Sequence, residues 1–287
     1  MIFNFCTLFD INRKNILRIF VKPTTFSIIT IVYNNLAYIK KTMDSVINQT
    51  YKEIEYILID GGSVDGTKEA IFEYIASYAT ITQETIKQDS FYLEATAKLF
   101  PTFTFKFLSE KDKGIYDAMN KGIALATKEW INFMNCEDCF YHLDILEKVA
   151  MQNLQNYSVI YGDTEMIDKT HSYIQHPSTH FKSRIPFCHQ SSFTRTSVHS
   201  LFDTSYKICA DYAFFINLYK SGHKFKKLHF PIASYSLNGI SASPSWQMFY
   251  EQCRITYTFN KLFPLYLALK WILWTLPKSK VKGLIKR

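Results

Sequence analysis

Two apolar segments near the start of the chain limit most strongly what it can fold into. The first, FSIITIVY at residues 26–33, is a nearly continuous run of apolar and β-branched residues, and the second covers residues 54–59 and ends at Asp60. Such runs are typical of strands buried on both faces of a parallel sheet, where helices cover each face. Between them, apolar residues recur at helical spacing from Leu36 to Ile47. We therefore expect a strand, a helix and a second strand in succession.

The alternation of helices and strands continues along the chain and fades past about residue 165. Further helices are expected near residues 67–76, 115–126 and 210–218, and further strands at 130–134, 158–161 and 230–237. Residues 77–105 have no clear periodicity and fit either an extra helix and strand or an insertion. This order of elements predicts an α/β fold, with a doubly wound, mixed or parallel sheet and helices on both faces.

The positive charge of the chain is concentrated at its C-terminus. The formal net charge is +8, yet no Asp or Glu follows Glu251, and the last 36 residues hold eight of the 33 Lys and Arg residues. The first 251 residues therefore carry 25 basic residues against 25 acidic ones. A protein that binds nucleic acid usually spreads positive charge over a folded face, so we predict no nucleic-acid partner. A basic tail is more typical of contact with an anionic membrane surface.

The segment from Leu262 to Leu276 strengthens the membrane interpretation. It is almost wholly apolar, but it is too short to cross a bilayer core of about 30 Å as a helix. Its Tyr and Trp residues favour the headgroup level, and the basic sequence KSKVKGLIKR follows it. We expect peripheral membrane contact through residues 262–287. The alternative is a C-terminal helix that packs on the domain and has a solvated basic end.

The cysteines and the N-terminus indicate the compartment. Six cysteines are scattered along the 287 residues, which does not suggest a disulfide framework. Charged residues interrupt the first 25 residues, so no signal peptide is expected there. We therefore predict a cytoplasmic protein, located at the inner face of the cytoplasmic membrane if the tail binds lipid.

Carboxylates follow three of the predicted strands. They are Asp60, the pair Glu137 and Asp138, and Asp163. Ligands of open parallel sheets bind beyond the carboxyl ends of the strands, so we expect these side chains to meet in one cleft. Gathered carboxylates repel each other unless a cation neutralises them, and Mg²⁺ or Mn²⁺ suits oxygen ligands and phosphates. The alternative is that each is a helix cap or a surface turn residue.

The turn after the second strand, GGSVDGT at residues 61–67, has two adjacent glycines. Gly62 allows the backbone to approach a ligand closely, and Asp65 or Thr67 can cap the next helix. The turn is not a GxGxxG fingerprint, and the chain has no Walker sequence and no G-x-S-x-G elbow. These absences disfavour dinucleotide-dependent enzymes, P-loop enzymes and α/β-hydrolases.

Taken in order, these motifs resemble the glycosyltransferase family 2 proteins of GT-A fold that build bacterial surface polysaccharides. The resemblance covers residues 26–242. The motifs that carry it are SIITIVYNN (27–35), QTYKEIEYILIDGGSVDGT (49–67), SEKDKGIYDAMNKGIALA (109–126), NFMNCED (132–138), YGD (161–163), HQSSF (189–193), FDTSYKICADYAFFINL (202–218) and GIS (239–241).

The resemblance implies a site for the donor, a nucleotide-activated sugar. Thr30 and Tyr33 would line the nucleotide pocket, Asp60 would contact the base or ribose, and Asp112 would reach the donor. Asp138 would hold the metal, Mg²⁺ or Mn²⁺, on the donor's diphosphate. A UDP-sugar is the donor that the family most often uses.

It also implies residues on the acceptor side. Asp211 would be the general base, and His189 and Gln190 would face the acceptor, which is expected to be a glycan or a lipid-linked glycan. A single base and one direct displacement would invert the anomeric carbon. His189 is the alternative base, and the alternative for Asp211 is a helix N-cap.

The chain departs from the family pattern at two positions. Gly61 follows Asp60 where the family often has a second Asp, which affects how the base is recognised. Glu137 precedes Asp138 where Asp is commoner, so the longer Glu137 is expected to contact the sugar, or the groups that surround the metal's ligands, instead of the metal itself. 

The resemblance divides the chain into three parts. Residues 1–25 are an N-terminal lead-in, residues 26–245 are the GT-A domain, and residues 246–287 are a helical basic tail. Within the domain, residues 26–140 are expected to bind the nucleotide-sugar and residues 141–245 the acceptor. Two other functions remain open: a sugar-phosphate nucleotidyltransferase, and a non-catalytic protein that binds nucleotide-sugars or polysaccharide.

Overall fold

The computed structural model describes residues 23–168, 170–178, 186–237 and 245–275. Within these residues, eleven strands form one mixed sheet that is covered by helices on both faces. The strands are β1 (Phe26–Val32), β2 (Ile54–Asp60), β3 (Ala79–Lys87), β4 (Ser90–Ala97), β5 (Thr104–Glu110), β6 (Trp130–Phe133), β7 (Cys139–Phe140), β8 (Val159–Ile167), β9 (Ser172–Gln175), β10 (Ser192–Arg195) and β11 (Phe225–Ser236). The helices are α1 (Leu36–Ile47), α2 (Thr67–Tyr78), α3 (Ile115–Leu125), α4 (Ile145–Ala150), α5 (Ala210–Lys220), α6 (Trp246–Tyr257) and α7 (Phe263–Lys270).

The centre of the sheet is parallel and its flanks are mixed. The strand order is β3-β4-β5-β2-β1-β6-β10-β8-β11-β7, with β9 paired to β8. Strands β5, β2, β1 and β6 run parallel, whereas β10 is antiparallel to both β6 and β8. The prediction of a mixed α/β sheet with helices on both faces is confirmed.

The two long apolar runs are buried on both sides, as their composition predicts. Every residue of β1 and of β2 is buried. Side chains of a strand alternate between its faces, so Ile28 joins one core with α1 and α2, and Ile29 joins the other with α3 and α5. These two cores hold the central strands in place, and the carboxyl ends of the strands face the cleft described below.

Three parts of the fold differ from the sequence-based expectation. Residues 79–97 form the antiparallel hairpin of β3 and β4, which extends the sheet beyond β5 and contains no extra helix. Strand β8 continues to Ile167, so Asp163 lies inside the strand and not at its end. Helix α6 packs on the domain through Ile255, which is buried in the core of α3 and α5.

The C-terminal segment is helical in its described part. A π-helical turn, Trp271–Thr275, follows α7, and the ring of Trp271 lies 4.1 Å from that of Trp246 on α6. Among the described residues, no helix is both long enough and apolar enough to cross a membrane. The basic sequence at 278–287 and the motif GIS at 239–241 lie outside the described residues.

Candidate active site

A cavity of about 570 Å³ opens at the carboxyl ends of β1 and β6. Six chain segments that are distant in sequence form its walls, the sixth being Tyr235 and Ser236 at the end of β11. The residues that matter for the chemistry below are Tyr33 after β1, Asp112 and Tyr116 at the start of α3, Asn135 to Asp138 after β6, Cys188 to Gln190, and Lys207, Ile208 and Asp211 around the start of α5. The parallel centre of the sheet gathers the first three of these segments, and α5 brings in the fifth.

Asp65 fixes the turn that connects β2 to the cavity. Its carboxylate accepts hydrogen bonds from the backbone N–H of Leu36 and of Thr67, both at 3.1 Å, so it caps the starts of α1 and α2 together. The Thr67 hydroxyl in turn accepts the N–H of Asn35 at 3.1 Å. These contacts hold the end of β1, and with it Tyr33, at the mouth of the cavity.

Gly61 creates room for Asp112. A Cβ atom on Gly61 would lie 2.3 Å from Oδ2 of Asp112 and 3.3 Å from the ring of Tyr33. Asp112 is held there by the N–H of Gly114, which donates to its Oδ1 at 2.9 Å. The absence of a side chain at position 61 thus allows a carboxylate from another loop to lie against the end of β2.

Asp138 is a buried carboxylate on the cavity wall. It is only 4% exposed, its Oδ1 accepts the N–H of Ser236 at 3.0 Å, and its Oδ2 accepts the amide of Gln190 at 2.8 Å. Burial outweighs these hydrogen bonds and raises the pKa of Asp138 to about 7. Its neighbour Glu137 has a left-handed φ of 84° and accepts the amide of Asn35 at 2.8 Å.

Asp211 and His189 form a hydrogen-bonded pair that also borders the cavity. Nδ1 of His189 lies 3.2 Å from Oδ2 of Asp211, and the Tyr116 hydroxyl lies 3.0 Å from Oδ1. Burial alone would raise the pKa of Asp211, but these contacts outweigh it and the pKa lies below its ordinary value. Asp211 is therefore ionised at neutral pH. Because an ionised carboxylate only accepts, Nδ1 of His189 must carry the proton.

The alternative role of Asp211 as a helix cap does not match the geometry. The N-cap position of α5 is Cys209, whose own side chain makes no capping hydrogen bond. Asp211 lies in the first turn of the helix and turns its carboxylate toward His189 and Tyr116. The helix start thus presents this carboxylate to the cavity, which it lines.

Three residues predicted to bind the donor lie elsewhere. Thr30 is fully buried, and its hydroxyl donates to the Met134 carbonyl at 2.6 Å, so it supports the cavity wall from behind instead of lining it. Asp60 is fully buried as well, and its carboxylate accepts the Ser109 hydroxyl at 2.7 Å and the N–H of Ser63. Gly62 has a φ of 82°, and a Cβ atom added there would lie 3.4 Å from the backbone nitrogen of Lys111. None of the three borders the cavity among the described residues.

Gln190 borders the cavity, where it is 3% exposed and its amide binds Asp138 and the Cys188 thiol. The expectation that Asp163 joins the other carboxylates is wrong. Its Oδ2 lies 2.9 Å from Nδ1 of His176, and the interior of β8 holds it away from the cavity.

Sequence reasoning missed several residues that the fold brings to the site. Tyr116 contacts Asp211, the amide of Asn135 lies 3.2 Å from Nε2 of His189, and the backbone of Ser236 binds Asp138. Tyr116 and Asn135 lie inside the motifs at 109–126 and 132–138, so their neighbourhood was visible. The contact from Ser236 comes from a backbone N–H about a hundred residues away, and no side-chain pattern could reveal it.

The side chains of the cavity can hold a divalent cation only if the substrate supplies further ligands to it. Asp138 offers carboxylate oxygens, which hard cations prefer, and each oxygen keeps a lone pair beyond its one hydrogen bond. However, the described residues contain no cluster of three or more His, Cys, Asp or Glu side chains that could hold a metal. This matches the way Mg²⁺ is commonly bound, through one or two carboxylates and the phosphates of the substrate.

The fold is of the GT-A type. It is similar to Staphylococcus aureus TarS 1–349 crystallised with UDP, with a TM-score of 0.59 and 17% identity, covering 82% of this chain and 65% of TarS. It is also similar to the mannosyltransferase PcManGT of Pyrobaculum calidifontis, solved with GDP-Man and Mn²⁺, with a TM-score of 0.54 and 13% identity, covering 96% of this chain and 86% of that one. At these identities the likeness shows the fold alone.

The sequence comparison defines the family. Residues 27–217 match the family described as glycosyl transferase family 2, and the chain therefore belongs to it. Curated relatives include the PGL/p-HBAD biosynthesis glycosyltransferases of Mycobacterium bovis and Mycobacterium tuberculosis. Each is 27% identical over 231 residues, which covers 74% of this chain and 76% of the relative. The family resemblance and the GT-A fold expected from the motifs are both confirmed.

Proposed function

We propose that this chain transfers a sugar from a nucleotide-sugar donor to a glycan or lipid-linked glycan, with inversion at the anomeric carbon. The observation that carries this proposal is that Asp138 and Asp211, which differ in their electrostatic environment, line the same cavity. One carboxylate serves the departing diphosphate and the other serves the attacking hydroxyl. Binding of UDP or UDP-GlcNAc by TarS and of GDP-Man by PcManGT supports a nucleotide-sugar donor.

On the donor side, the base and ribose of the nucleotide bind at the mouth of the cavity. Tyr33 is 63% exposed there and can stack on a base, while Asp112 beside Gly61 can accept hydrogen bonds from it. Asp138 would hold Mg²⁺ or Mn²⁺ on the diphosphate. When bound, such a cation acts as a Lewis acid that stabilises the negative charge of the leaving group.

On the acceptor side, Asp211 acts as general base. The acceptor oxygen bonds to the anomeric carbon, its proton passes to the Asp211 carboxylate, and the bond from that carbon to the diphosphate oxygen breaks. General-base help of this kind is typically worth about 10²- to 10⁴-fold in rate. His189 and Tyr116 orient the carboxylate, because each contacts one of its two oxygens. His189 also borders the cavity, and in this proposal it contacts the acceptor.

The C-terminal helices support contact with a membrane, where a lipid-linked acceptor would be found. On α7 and the turn after it, apolar side chains remain exposed although Trp271 packs on α6. They are Leu262, Leu265, Tyr266, Leu269, Ile272 and Leu273. An apolar face next to a basic sequence favours binding at the interface of an anionic membrane. This contact would locate the protein at the cytoplasmic face of the membrane.

Ligand screening tests the proposal and separates it from its rivals. We expect one of the UDP-, GDP-, dTDP- or CMP-sugars, with Mn²⁺ present, to raise the melting temperature far more than the others, since stabilisation grows with ligand concentration over Kd. The labelled donor should then yield labelled glycan and free nucleoside diphosphate. Binding without any turnover would favour a non-catalytic binding protein. Release of pyrophosphate from sugar phosphate and nucleoside triphosphate would indicate a nucleotidyltransferase, which family membership already disfavours.

A further inference from the structure

A buried carboxylate on α6, outside the residues that match the family, holds one wall of the cavity. Glu251 is 1% exposed. Its Oε1 accepts the N–H of Lys207 at 2.7 Å, and its Oε2 accepts the N–H of Ile208 at 3.0 Å and of Cys209 at 2.9 Å. Gln247, one turn earlier on α6, donates its amide to Oε1 at 2.6 Å. Successive backbone N–H groups of this kind form a cradle for a negative charge.

The segment that Glu251 binds leads directly into the catalytic helix. Lys207 and Ile208 line the cavity, and Cys209 is the N-cap residue of α5, two positions before Asp211. The opposite side of this segment is held by Tyr116, whose hydroxyl lies 2.6 Å from the Ile208 carbonyl oxygen and also contacts Asp211. Glu251 and Tyr116 therefore hold the segment from two sides.

We propose that Glu251 is a positioning residue that fixes the 207–209 segment and thereby sets the place of the Asp211 carboxylate in the cavity. The proposal rests on the function proposed above, in which Asp211 is the general base. It makes α6 part of the catalytic domain instead of the start of an independent tail. A displacement of a base by about 1 Å is enough to lower the rate of a positioned reaction strongly.

The negative charge of Glu251 is what the cradle requires. The site lies at the start of α5, where the helix dipole favours an anion. Burial opposes the charge, but the hydrogen bonds from Gln247 and from the three backbone N–H groups outweigh it, and the pKa of Glu251 lies below its ordinary value. A neutral amide at the same position would turn an N–H group toward backbone N–H groups and would leave at least one of them unpaired.

The test compares Glu251→Gln with Ile255→Val, a variant that trims a buried contact of the same helix and leaves the cradle intact. Two quantities are measured on the full chain: the hydrogen exchange of the amides of residues 207–209, and kcat together with KM and Kd for the donor. We expect Glu251→Gln to speed exchange at these amides at least tenfold and to lower kcat at least tenfold, with donor Kd changed less than twofold. Ile255→Val should change neither exchange nor kcat.

Two results would overturn the positioning role. One is unchanged protection of these three amides in Glu251→Gln, and the other is a loss of kcat that Ile255→Val reproduces. Asp211→Asn, measured in parallel, keeps the two proposals apart. Near-normal turnover in that variant would remove Asp211 as the base, whereas the exchange data would still decide whether Glu251 fixes the segment.

Discussion

At the scale of single residues, the two carboxylates of the cavity differ because their neighbours differ. Each carboxylate has a hydrogen-bond partner at both oxygens, but the contacts from His189 and Tyr116 outweigh burial at Asp211, whereas burial outweighs the contacts from Ser236 and Gln190 at Asp138. Ionising a carboxylate with a raised pKa costs free energy in the folded protein. Such a residue in a cavity is therefore a candidate for binding a ligand. Binding of a cation with the diphosphate would compensate for that cost.

This reasoning predicts that Asp138→Asn abolishes transfer and removes a pH-dependent destabilisation of the wild type, while the amide costs a constant amount at every pH because it matches only one of the two donors, the Ser236 N–H and the Gln190 amide. Because the pKa of Asp138 is raised from 3.8 to about 7, the wild type loses stability relative to the variant as pH rises from about 4 to about 7. Above that window the widening of the gap should stay at roughly 2 to 4 kcal/mol. Melting curves of both proteins in chelator between pH 4 and 8 measure it. Parallel curves with no widening gap would contradict the assignment.

Gly61 supports a second prediction, about donor recognition. A methyl group in Gly61→Ala would displace the Asp112 carboxylate, so donor affinity should fall about tenfold, comparable to the loss of one hydrogen bond to a charged group. The control is the double variant with Asp112→Ala, measured as a thermodynamic cycle of donor Kd. If Gly61 acts through Asp112, its substitution should have little further effect in that background. Additive losses would show that the two act independently.

At the scale of the secondary-structure elements, one carboxylate links neighbouring strands at the end of the sheet opposite the cavity. Glu55 on β2 lies 2.8 Å from Nζ of Lys106 on β5, and it also accepts hydrogen bonds from Ser27 on β1 and from Thr127. Burial would raise the pKa of Glu55, but these contacts outweigh it and the pKa is lowered. Its contribution to stability is therefore complete above the unfolded value of 4.5 and is lost as pH falls through the lower folded value.

We therefore predict that Glu55→Gln lowers the free energy of unfolding at pH 7 by roughly 2 to 4 kcal/mol, since it leaves the mostly buried Lys106 without its partner. The difference from wild type should shrink below about pH 4.5. Urea denaturation at pH 7 and pH 3.5 tests this. Because Glu55 lies at the far end of β2, kcat at a permissive temperature should not change. A pH-independent difference would refute the charge-based explanation.

The elements also show what a sequence can and cannot predict. The double-sided burial of β1 and β2 was predictable, because continuous apolar runs fit few other environments. The hairpin of β3 and β4 was not, because polar residues fill much of the exposed edge strand β3 and weaken its alternation. Within the site, Asp138 and Asp211 were predictable from motifs. The cradle of Glu251 was not, because backbone N–H groups donate its main contacts across more than forty residues.

On the scale of the whole molecule, the C-terminal helices either bind a membrane surface or only pack on the domain, and two variants separate these explanations. Removal of residues 262–287 should abolish binding to vesicles that contain anionic lipid and leave α6 in place. A second variant, Leu265→Ser with Leu269→Ser, keeps every charge and removes two exposed apolar side chains, 63% and 59% exposed. Co-sedimentation with anionic and neutral vesicles at low and high salt measures both. Equal binding by all three proteins would eliminate the membrane contact.

The central claim is that the cavity separates two tasks, with Asp138 serving the leaving diphosphate and Asp211 taking the proton of the acceptor. The most direct measurement compares Asp211→Asn with wild type in single-turnover transfer and in donor binding, once the donor has been identified. We predict that turnover falls by about 10²- to 10⁴-fold, while the Kd of the donor changes less than threefold. Near-normal turnover, or a loss of donor binding in proportion to the loss of turnover, would contradict the account.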